Sequence, residues 1–168
     1  MRAADSVPSA SQVFDRQLKS TEGEFVPLVE AMPADKFNFA PTAGDFKGVR
    51  TFAQESKHAA FVIYTVSAAL LGEKNPSSGG PEENGPDNLV TKDQIVQYVK
   101  DAFAYAHRAV ATLTNENLMQ ETTDPFNPKG MRTRVDSAGV LFWHTRDHYG
   151  QMVEYLRMNG IVPPASRR

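Results

Sequence analysis

A chain of 168 residues is about the size of one domain, and its hydrophobic content of 40% is ordinary for a soluble globular protein. The net charge of −2 gives no electrostatic reason to expect a nucleic acid or an anionic membrane as partner. Because the sequence contains no cysteine, disulfides, thiolate metal sites and cysteine nucleophiles are excluded.

The N-terminus and the distribution of apolar residues suggest a location. No apolar run approaches the ~20 residues that a membrane-spanning helix needs. Met1-Arg2-Ala3-Ala4-Asp5 lacks the long apolar core of a signal peptide. We therefore expect a cytoplasmic protein, with export as the alternative if a signal peptide has been removed from the sequence. We expect residues 1–168 to form a single domain, with a flexible tail at residues 1–8.

Four positions carry the signature of a helix N-terminus. In three of them a Ser or Thr is followed three residues later by Gln, which is the spacing of a capping box, and the fourth is a Thr that can cap alone. These positions are Ser9-x-x-Gln12, Thr51-x-x-Gln54, Thr91-x-x-Gln94 and Thr133. The predicted helix ends are Met32-Pro33, Leu71-Gly72, Leu113 and Asn159-Gly160. Pro27 predicts a kink or an early end of the first helix.

Apolar residues recur at helical spacing in all four segments, and the second segment is apolar nearly all round, as is typical of a central helix. The connections at residues 34–48, 73–90 and 114–132 are rich in Pro, Gly and Asn and read as loops. A connection as long as 73–90 is usually mobile, functional or both. With no strand alternation and no repeat, the sequence predicts an all-α four-helix bundle with two long connecting loops, which we call the first connection (residues 73–90) and the second connection (residues 114–132).

The fourth helix carries two histidines at the spacing of a metal-binding pair. His144 and His148 lie four residues apart, on one face that is otherwise mostly apolar. Two core histidines that hydrogen-bond to neighbours are the alternative. His58 faces the core from the second helix and is the natural candidate for a third ligand, although helical periodicity alone does not align its depth with that of the pair. His107 lies at the edge of the apolar stripe of the third helix, where we expect a boundary side chain that reaches water.

Longer segments resemble those of a known family. They are Val49-Arg50-Thr51-Phe52 with Lys57-His58-Ala59, Met32-Pro33-x-x-Lys36, Pro41-Thr42, and His144-x-x-x-His148-Tyr149-Gly150-Gln151 continuing through Tyr155-Leu156-Arg157-Met158-Asn159-Gly160 to Pro164. The chain from about residue 11 resembles the DinB-like superfamily, apart from the two loops that follow Gly72 and Thr114. The resemblance implies a metal-binding four-helix bundle and a homodimer. It also implies a divalent ion, often nickel or zinc, with His58, His144 and His148 as ligands.

Three neutral imidazoles leave at least one coordination position open, where a bound water can have its pKa lowered to ~7 or a thiol can be deprotonated. Each ligand should donate its other N–H to an acceptor. The local candidates are Glu55 for His58, Asp147 for His144 and Gln151 for His148; an exposed salt bridge is the alternative for Asp147. Tyr155 could line a pocket floor, although core packing explains it as well. Arg50, Lys57, Arg132 and Arg134 could form an anion-binding rim, or could simply be solvated.

Three functions follow from these residues and the resemblance. The first is a metal-dependent enzyme acting on a small-molecule substrate or thiol, such as an S-transferase or a hydrolase; related proteins use bacillithiol or mycothiol. The second is a non-catalytic, stress-associated metal-binding protein. The third is a helical interaction module whose histidines are core residues. Nucleic-acid binding is not expected, because no basic stripe with interleaved aromatic residues is present.

Overall fold

The computed structural model describes residues 7–41 and 48–167. Its main elements are α1 (Ala10–Ala31), α2 (Phe52–Leu71), α3 (Lys92–Val110), α4 (Arg134–Met158) and two short strands, β1 (Glu121–Asp124) and β2 (Asn127–Thr133). Single 3-10 turns lie at Ala34–Lys36, Pro81–Glu83 and Pro164–Ser166. The predicted all-α class is confirmed, with four helices as the dominant elements. Residues 1–6 of the predicted tail and residues 42–47 of the predicted loop lie outside the described residues.

The helix N-termini were correctly predicted. Ser9, Thr51 and Thr91 each accept a hydrogen bond from the backbone N–H three residues on, and the Gln at that position bonds back to the cap. Thr133 caps α4 in the same way through its side chain alone. The prediction that Pro27 could end α1 a turn early was wrong, since the helix continues through Pro27 to Ala31.

The helix α2 is the centre of the fold. It packs against both α3 and α4, while α1 closes the opposite side by packing against the same two helices. Fourteen of its residues are buried and they lie on all sides of the helix, as its apolar sequence predicts. Gly72 ends α2 in a left-handed conformation (φ 68°), which glycine adopts at little cost. His58 therefore lies on the helix with the most buried surroundings.

The second connection contains structure that the sequence did not reveal. Strands β1 and β2 pair antiparallel within residues 121–133, a segment predicted to be a loop. The side chains of β1 alternate between exposed and half-buried positions, and the described side chains of β2 are likewise exposed or half-buried, so no apolar period of two marks the strands. The hairpin is held instead by its ladder and by polar anchoring, for example the hydrogen bond of 2.8 Å from Thr122 Oγ1 to the Ala69 carbonyl at the end of α2.

The first connection, residues 73–90, lies along α2 and α3. Asn75 Nδ2 donates to Thr65 Oγ1 of α2 at 2.9 Å, and the Ser77 hydroxyl bonds Tyr98 of α3. At Gly85 (φ 75°) a Cβ would come within 2.6 Å of the Lys57 Cβ, so only glycine allows this approach to α2. Within the described ranges no helix is both long and apolar enough to cross a membrane.

Candidate metal centre

Three imidazoles converge between α2 and α4. His58 comes from α2 and His144 and His148 come from α4, with ring centroids 5.2 Å (58 to 144), 4.8 Å (58 to 148) and 4.4 Å (144 to 148) apart. One nitrogen from each ring can be chosen so that all three lie within 4.8 Å of one another. His58 and His148 are buried, and His144 is half-buried at the edge. The fold thus brings together the three histidines that the sequence singled out.

The orientation of α4 explains why the two members of the pair differ in burial. Its buried face passes through Leu141, Thr145, His148 and Met152 and is not centred on His144. His144 therefore lies at the margin of the stripe, one helical turn from His148. Helical spacing at 100° per residue places Gln151, Met158 and Val162 on the face of His144, and the sequence therefore predicts them on the core-facing stripe, but all three are exposed.

Glu55 holds the imidazole of His148. Its Oε2 lies 2.5 Å from Nδ1 of His148, and both side chains are buried. A carboxylate only accepts hydrogen bonds, so Nδ1 of His148 carries the proton and the lone pair lies on Nε2. Glu55 had been predicted to serve His58, three residues along its own helix. The acceptor role is present, but Glu55 reaches across to α4 instead.

A backbone carbonyl holds the imidazole of His58. Nδ1 of His58 lies 2.8 Å from the carbonyl oxygen of Glu83, in the first connection. By the same argument Nδ1 is the donor and Nε2 keeps its lone pair. Sequence reasoning missed this partner, because any residue can supply a carbonyl and residue 83 is remote from 58 along the chain.

His144 has no comparable acceptor. Its Nε2 lies 3.2 Å from Nε2 of His148, whereas its Nδ1 is buried without a hydrogen-bond partner in the part of the chain that the structure describes. If Nε2 carries the proton it donates to His148 and leaves a buried lone pair unpaired. If Nδ1 carries the proton, two lone pairs face each other. An unsatisfied buried polar atom costs about 1–3 kcal/mol, and a cation between the Nε2 atoms would remove the repulsion. The donor set therefore fits a metal ion.

Burial favours the neutral forms of His58 and His144. Burial lowers the pKa of His144 from 6.5 to about 3, because a protonated ring there would lose its hydration and would be repelled by the Arg50 guanidinium. Burial also lowers the pKa of His58, although the Glu83 carbonyl opposes that shift by favouring the protonated ring. Neutral imidazole is the form that binds a metal, so both rings are ready to coordinate at neutral pH.

The remaining predicted neighbours of the site have other partners. Gln151 Nε2 donates to Asp147 Oδ2 at 3.0 Å on the exposed side of α4, and within residues 7–41 and 48–167 neither forms a hydrogen bond to a ligand imidazole. Tyr155 is buried, packs edge-on against Phe39 with ring centroids 5.7 Å apart, and donates to the Arg50 carbonyl at 2.9 Å. Tyr155 thus ties α4 to the start of α2.

The predicted rim of four cations does not assemble around the histidines. Arg132 bonds Asp124 and Asp136 at 3.5 and 3.4 Å beside the hairpin. Arg134 donates to Thr112 at 2.9 Å, at the end of α3. Arg50 is the cation of the four whose charge lowers the pKa of both His58 and His144.

Lys57 is buried and donates to the Pro86 carbonyl at 2.9 Å. Burial lowers the pKa of its ammonium group, while the nearby Asp87 carboxylate opposes that shift. It therefore anchors the first connection and is not a free surface cation.

His107 lies apart from the cluster, at the boundary where it was expected. Its Nδ1 is 2.7 Å from Asp15 Oδ1 and its Nε2 is 3.1 Å from Glu22 Oε2, both on α1. With 23% of its side chain exposed, it joins α3 to α1 at the surface. Nothing in this arrangement resembles the three-histidine cluster, and His107 serves as an internal comparison for it.

Comparison with known proteins agrees with this architecture. The DinB superfamily matches residues 17–152. The fold is similar to the crystal structure of a DinB-like protein from Bacillus cereus ATCC 10987, with a TM-score of 0.69, 16% sequence identity and coverage of 90% of this chain and 93% of that one. No curated protein matches the sequence. Because the family match spans most of the chain, including all three histidines, this protein belongs to the DinB superfamily.

Proposed function

We propose that this protein binds one divalent metal ion per chain through Nε2 of His58, His144 and His148. The observation that carries this proposal is the convergence of three imidazoles: an acceptor at Nδ1 of His58 and of His148 leaves their Nε2 atoms free, and Nε2 of His144 lies 3.2 Å from Nε2 of His148. We also propose that the four helices form the bundle expected from the sequence, with the ion between α2 and α4.

Zinc and nickel are the proposed metals. Imidazole nitrogen suits both, whereas a non-haem iron site would more often include a carboxylate ligand. The buried carboxylate of Glu55, which lies beside the cluster, already accepts the hydrogen bond from Nδ1 of His148. A divalent ion held by three neutral nitrogens supplies a Lewis-acidic position that is open to one more ligand, such as water or a thiol.

The residues of the chain prepare this site in three ways. Glu55 and the Glu83 carbonyl select the tautomers of His148 and His58 that leave Nε2 free. Burial of the rings excludes competing water and disfavours the protonated forms that cannot bind. His144, at the half-buried edge, is where a further ligand could enter.

We propose a thiol-dependent S-transfer activity as the catalytic extension of this site. The support is electrostatic: the Arg50 charge is close enough to lower the pKa of His58 and His144, and it would equally favour an anionic thiolate at the open position. A small-molecule electrophile would be the second substrate. Non-catalytic metal binding is the alternative, and a homodimer in the cytoplasm remains the expected form.

Metal binding is tested by loading the protein with Zn²⁺ or Ni²⁺, removing free ion and measuring bound metal by elemental analysis. We expect about one ion per chain, and loss of binding in His58→Ala, His144→Ala and His148→Ala. His107→Ala is the matched control and should bind as the parent does, since this histidine is bonded to Asp15 and Glu22. A parent protein that holds no metal would reject the proposal and favour a helical interaction module.

Trp143 provides an independent readout of the same event. It is the one tryptophan of the chain, is 59% exposed, and has its ring centroid 5.7 Å from that of His144. A paramagnetic ion such as Ni²⁺ at the cluster should quench its fluorescence, and Zn²⁺ should compete with that quenching. In His148→Ala the quenching should disappear, whereas in His107→Ala it should persist.

The catalytic extension has its own test. The metal-loaded protein is incubated with a thiol and a chromogenic electrophile, and the S-transfer rate is compared with that of the metal-free protein and of His58→Ala. A rate that depends on the metal supports the extension. An equal S-transfer rate in all three samples would reject the catalytic extension and would leave non-catalytic metal binding as the function.

A further inference from the structure

A short segment of the first connection lies directly on the metal centre. Residues 79–86, which we call the strap, contact α2 between Lys57 and Phe61: a Cβ added at Gly85 would touch the former and one at Gly79 the latter. The strap closes on itself through a hydrogen bond of 2.7 Å from the Gly85 N–H to the Gly79 carbonyl. Its Glu83 carbonyl is the acceptor for His58.

The backbone of the strap is in a conformation that costs free energy. Glu82 and Glu83 have φ values of 52° and 57°, in the left-handed region that residues with a side chain rarely adopt. Such positions cost on the order of 1–3 kcal/mol each and persist only where surrounding contacts determine them. The carbonyl that orients His58 belongs to one of these two residues, so the orientation of the ring depends on contacts that hold the strap.

Arg50 supplies the contacts on both sides of that carbonyl. Its Nε donates to Asn84 Oδ1 at 2.8 Å and its Nη2 donates to the Glu82 carbonyl at 3.0 Å, so one planar guanidinium holds the residues before and after Glu83. The backbone carbonyl of Arg50 in turn accepts from Tyr155 of α4. Arg50 thereby touches the strap with its side chain and the helix of His144 and His148 with its backbone.

Lys57 is a weaker candidate for the same task. It holds the far end of the strap through the Pro86 carbonyl, three residues beyond Glu83. A single flexible ammonium contact at that end does not determine the backbone angles of Glu82 and Glu83. The two donors of Arg50 act on the neighbours of the carbonyl itself.

Resting on the metal binding proposed above, we propose that Arg50 is a positioning residue for the metal centre: it holds the strap so that the Glu83 carbonyl orients His58, and metal binding in turn stabilises the strap. Coordination at Nε2 strengthens Nδ1–H as a donor to that carbonyl, so metal favours the bonded strap. Because coupling free energy is reciprocal, a strap held in place raises metal affinity by the factor by which metal stabilises the strap.

The test measures Zn²⁺ affinity, by competition with a chromophoric chelator, and amide hydrogen exchange across residues 79–86 with and without Zn²⁺. In the parent protein Zn²⁺ should slow exchange at Asn84 and Gly85, whose N–H groups bond the Pro81 and Gly79 carbonyls. Arg50→Ala should weaken Zn²⁺ binding by about 10–100-fold, which is the usual cost of removing an outer partner of a ligand. It should also speed strap exchange in the metal-free state. Arg50→Lys keeps one flexible donor group, so its Zn²⁺ affinity and its strap exchange rate should lie between those of the parent and those of Arg50→Ala.

Arg132→Ala is the matched control, because this arginine is bonded to carboxylates beside the hairpin and not to the strap. It should keep parental affinity and parental strap exchange. If Arg50→Ala fails to fold, Asn84→Ala removes the acceptor of Nε and keeps the test, with the same expected loss of affinity.

The outcomes separate the two proposals. Absence of Zn²⁺ binding in the parent protein rejects the metal site itself. If the parent protein binds Zn²⁺ but strap exchange is the same with and without Zn²⁺, the metal site stands and only the coupling is overturned. Arg50→Ala or Asn84→Ala with a Zn²⁺ affinity within about threefold of the parent, well short of the expected loss, also overturns it.

Discussion

Replacing Glu55 with Gln tests how the buried carboxylate supports His148. Gln is nearly isosteric, so it preserves packing in a position that is only 3% exposed and removes the negative charge. The hydrogen bond from Nδ1 then changes from charge-assisted to neutral, and charge-assisted bonds are roughly twice as strong. The basicity of Nε2 falls with it, because the proton on Nδ1 is held less strongly by a neutral amide.

The expected loss of metal affinity follows from this burial. Removing an outer partner of a histidine ligand typically costs 10–100-fold, which corresponds to about 1.4–2.7 kcal/mol. Glu55 and His148 are both buried, so water cannot easily replace the lost charge, and we expect Glu55→Gln to lie in the upper half of that range.

The assay is Zn²⁺ titration in competition with a chelator at pH 7.5, with circular dichroism to verify the helical content. Asp147→Asn is the matched control: it removes a carboxylate adjacent to His148 in sequence, but one that bonds Gln151 on the exposed side of α4. It should bind Zn²⁺ like the parent. A Glu55→Gln variant that binds Zn²⁺ within about threefold of the parent, or an equal loss of affinity in both variants, would contradict this role of Glu55.

Three further predictions concern stability. The folded-state pKa of His144, about 3, lies below its ordinary 6.5, so its contribution to the free energy of unfolding is complete above pH 6.5 and is lost as the pH falls. At pH 5 we expect a loss of up to about 2 kcal/mol, measured by urea unfolding of the metal-free protein. In His144→Gln this loss should be smaller. Gly85→Ala should cost about 1–3 kcal/mol, given its positive φ and the 2.6 Å approach to Lys57; Gly139→Ala, whose Cβ meets nothing within 4 Å, should not destabilise and serves as control. Thr91→Ala should lose about 1 kcal/mol in thermal unfolding with the cap of α3.

Helix positions were readable from the sequence because the signals that set them are local. A capping Ser or Thr and its Gln lie three residues apart, and the apolar stripe repeats within each helix. The i,i+4 spacing of His144 and His148 likewise guarantees that they share a face. The third imidazole needed the family resemblance, since no local rule aligns the depth of His58 with that of a pair on another helix.

The partners of the imidazoles were not readable from the sequence. Glu55 was assigned to the ring nearest along its own helix, whereas it bonds His148 across the interface. The acceptor of His58 is a backbone carbonyl, a group that every residue carries. The hairpin was not predicted because the described side chains of its strands are exposed or half-buried, so no apolar period of two marks them in the sequence.

The sequence by itself determined where the helices begin and that His144 and His148 share one helix face, because capping and helical periodicity operate over a few residues. Only the tertiary structure decided which acceptors face His58 and His148, how Arg50 holds the strap, and which face of α4 is buried. Those features depend on the relative placement of helices and connections, and the packing of the whole core sets that placement.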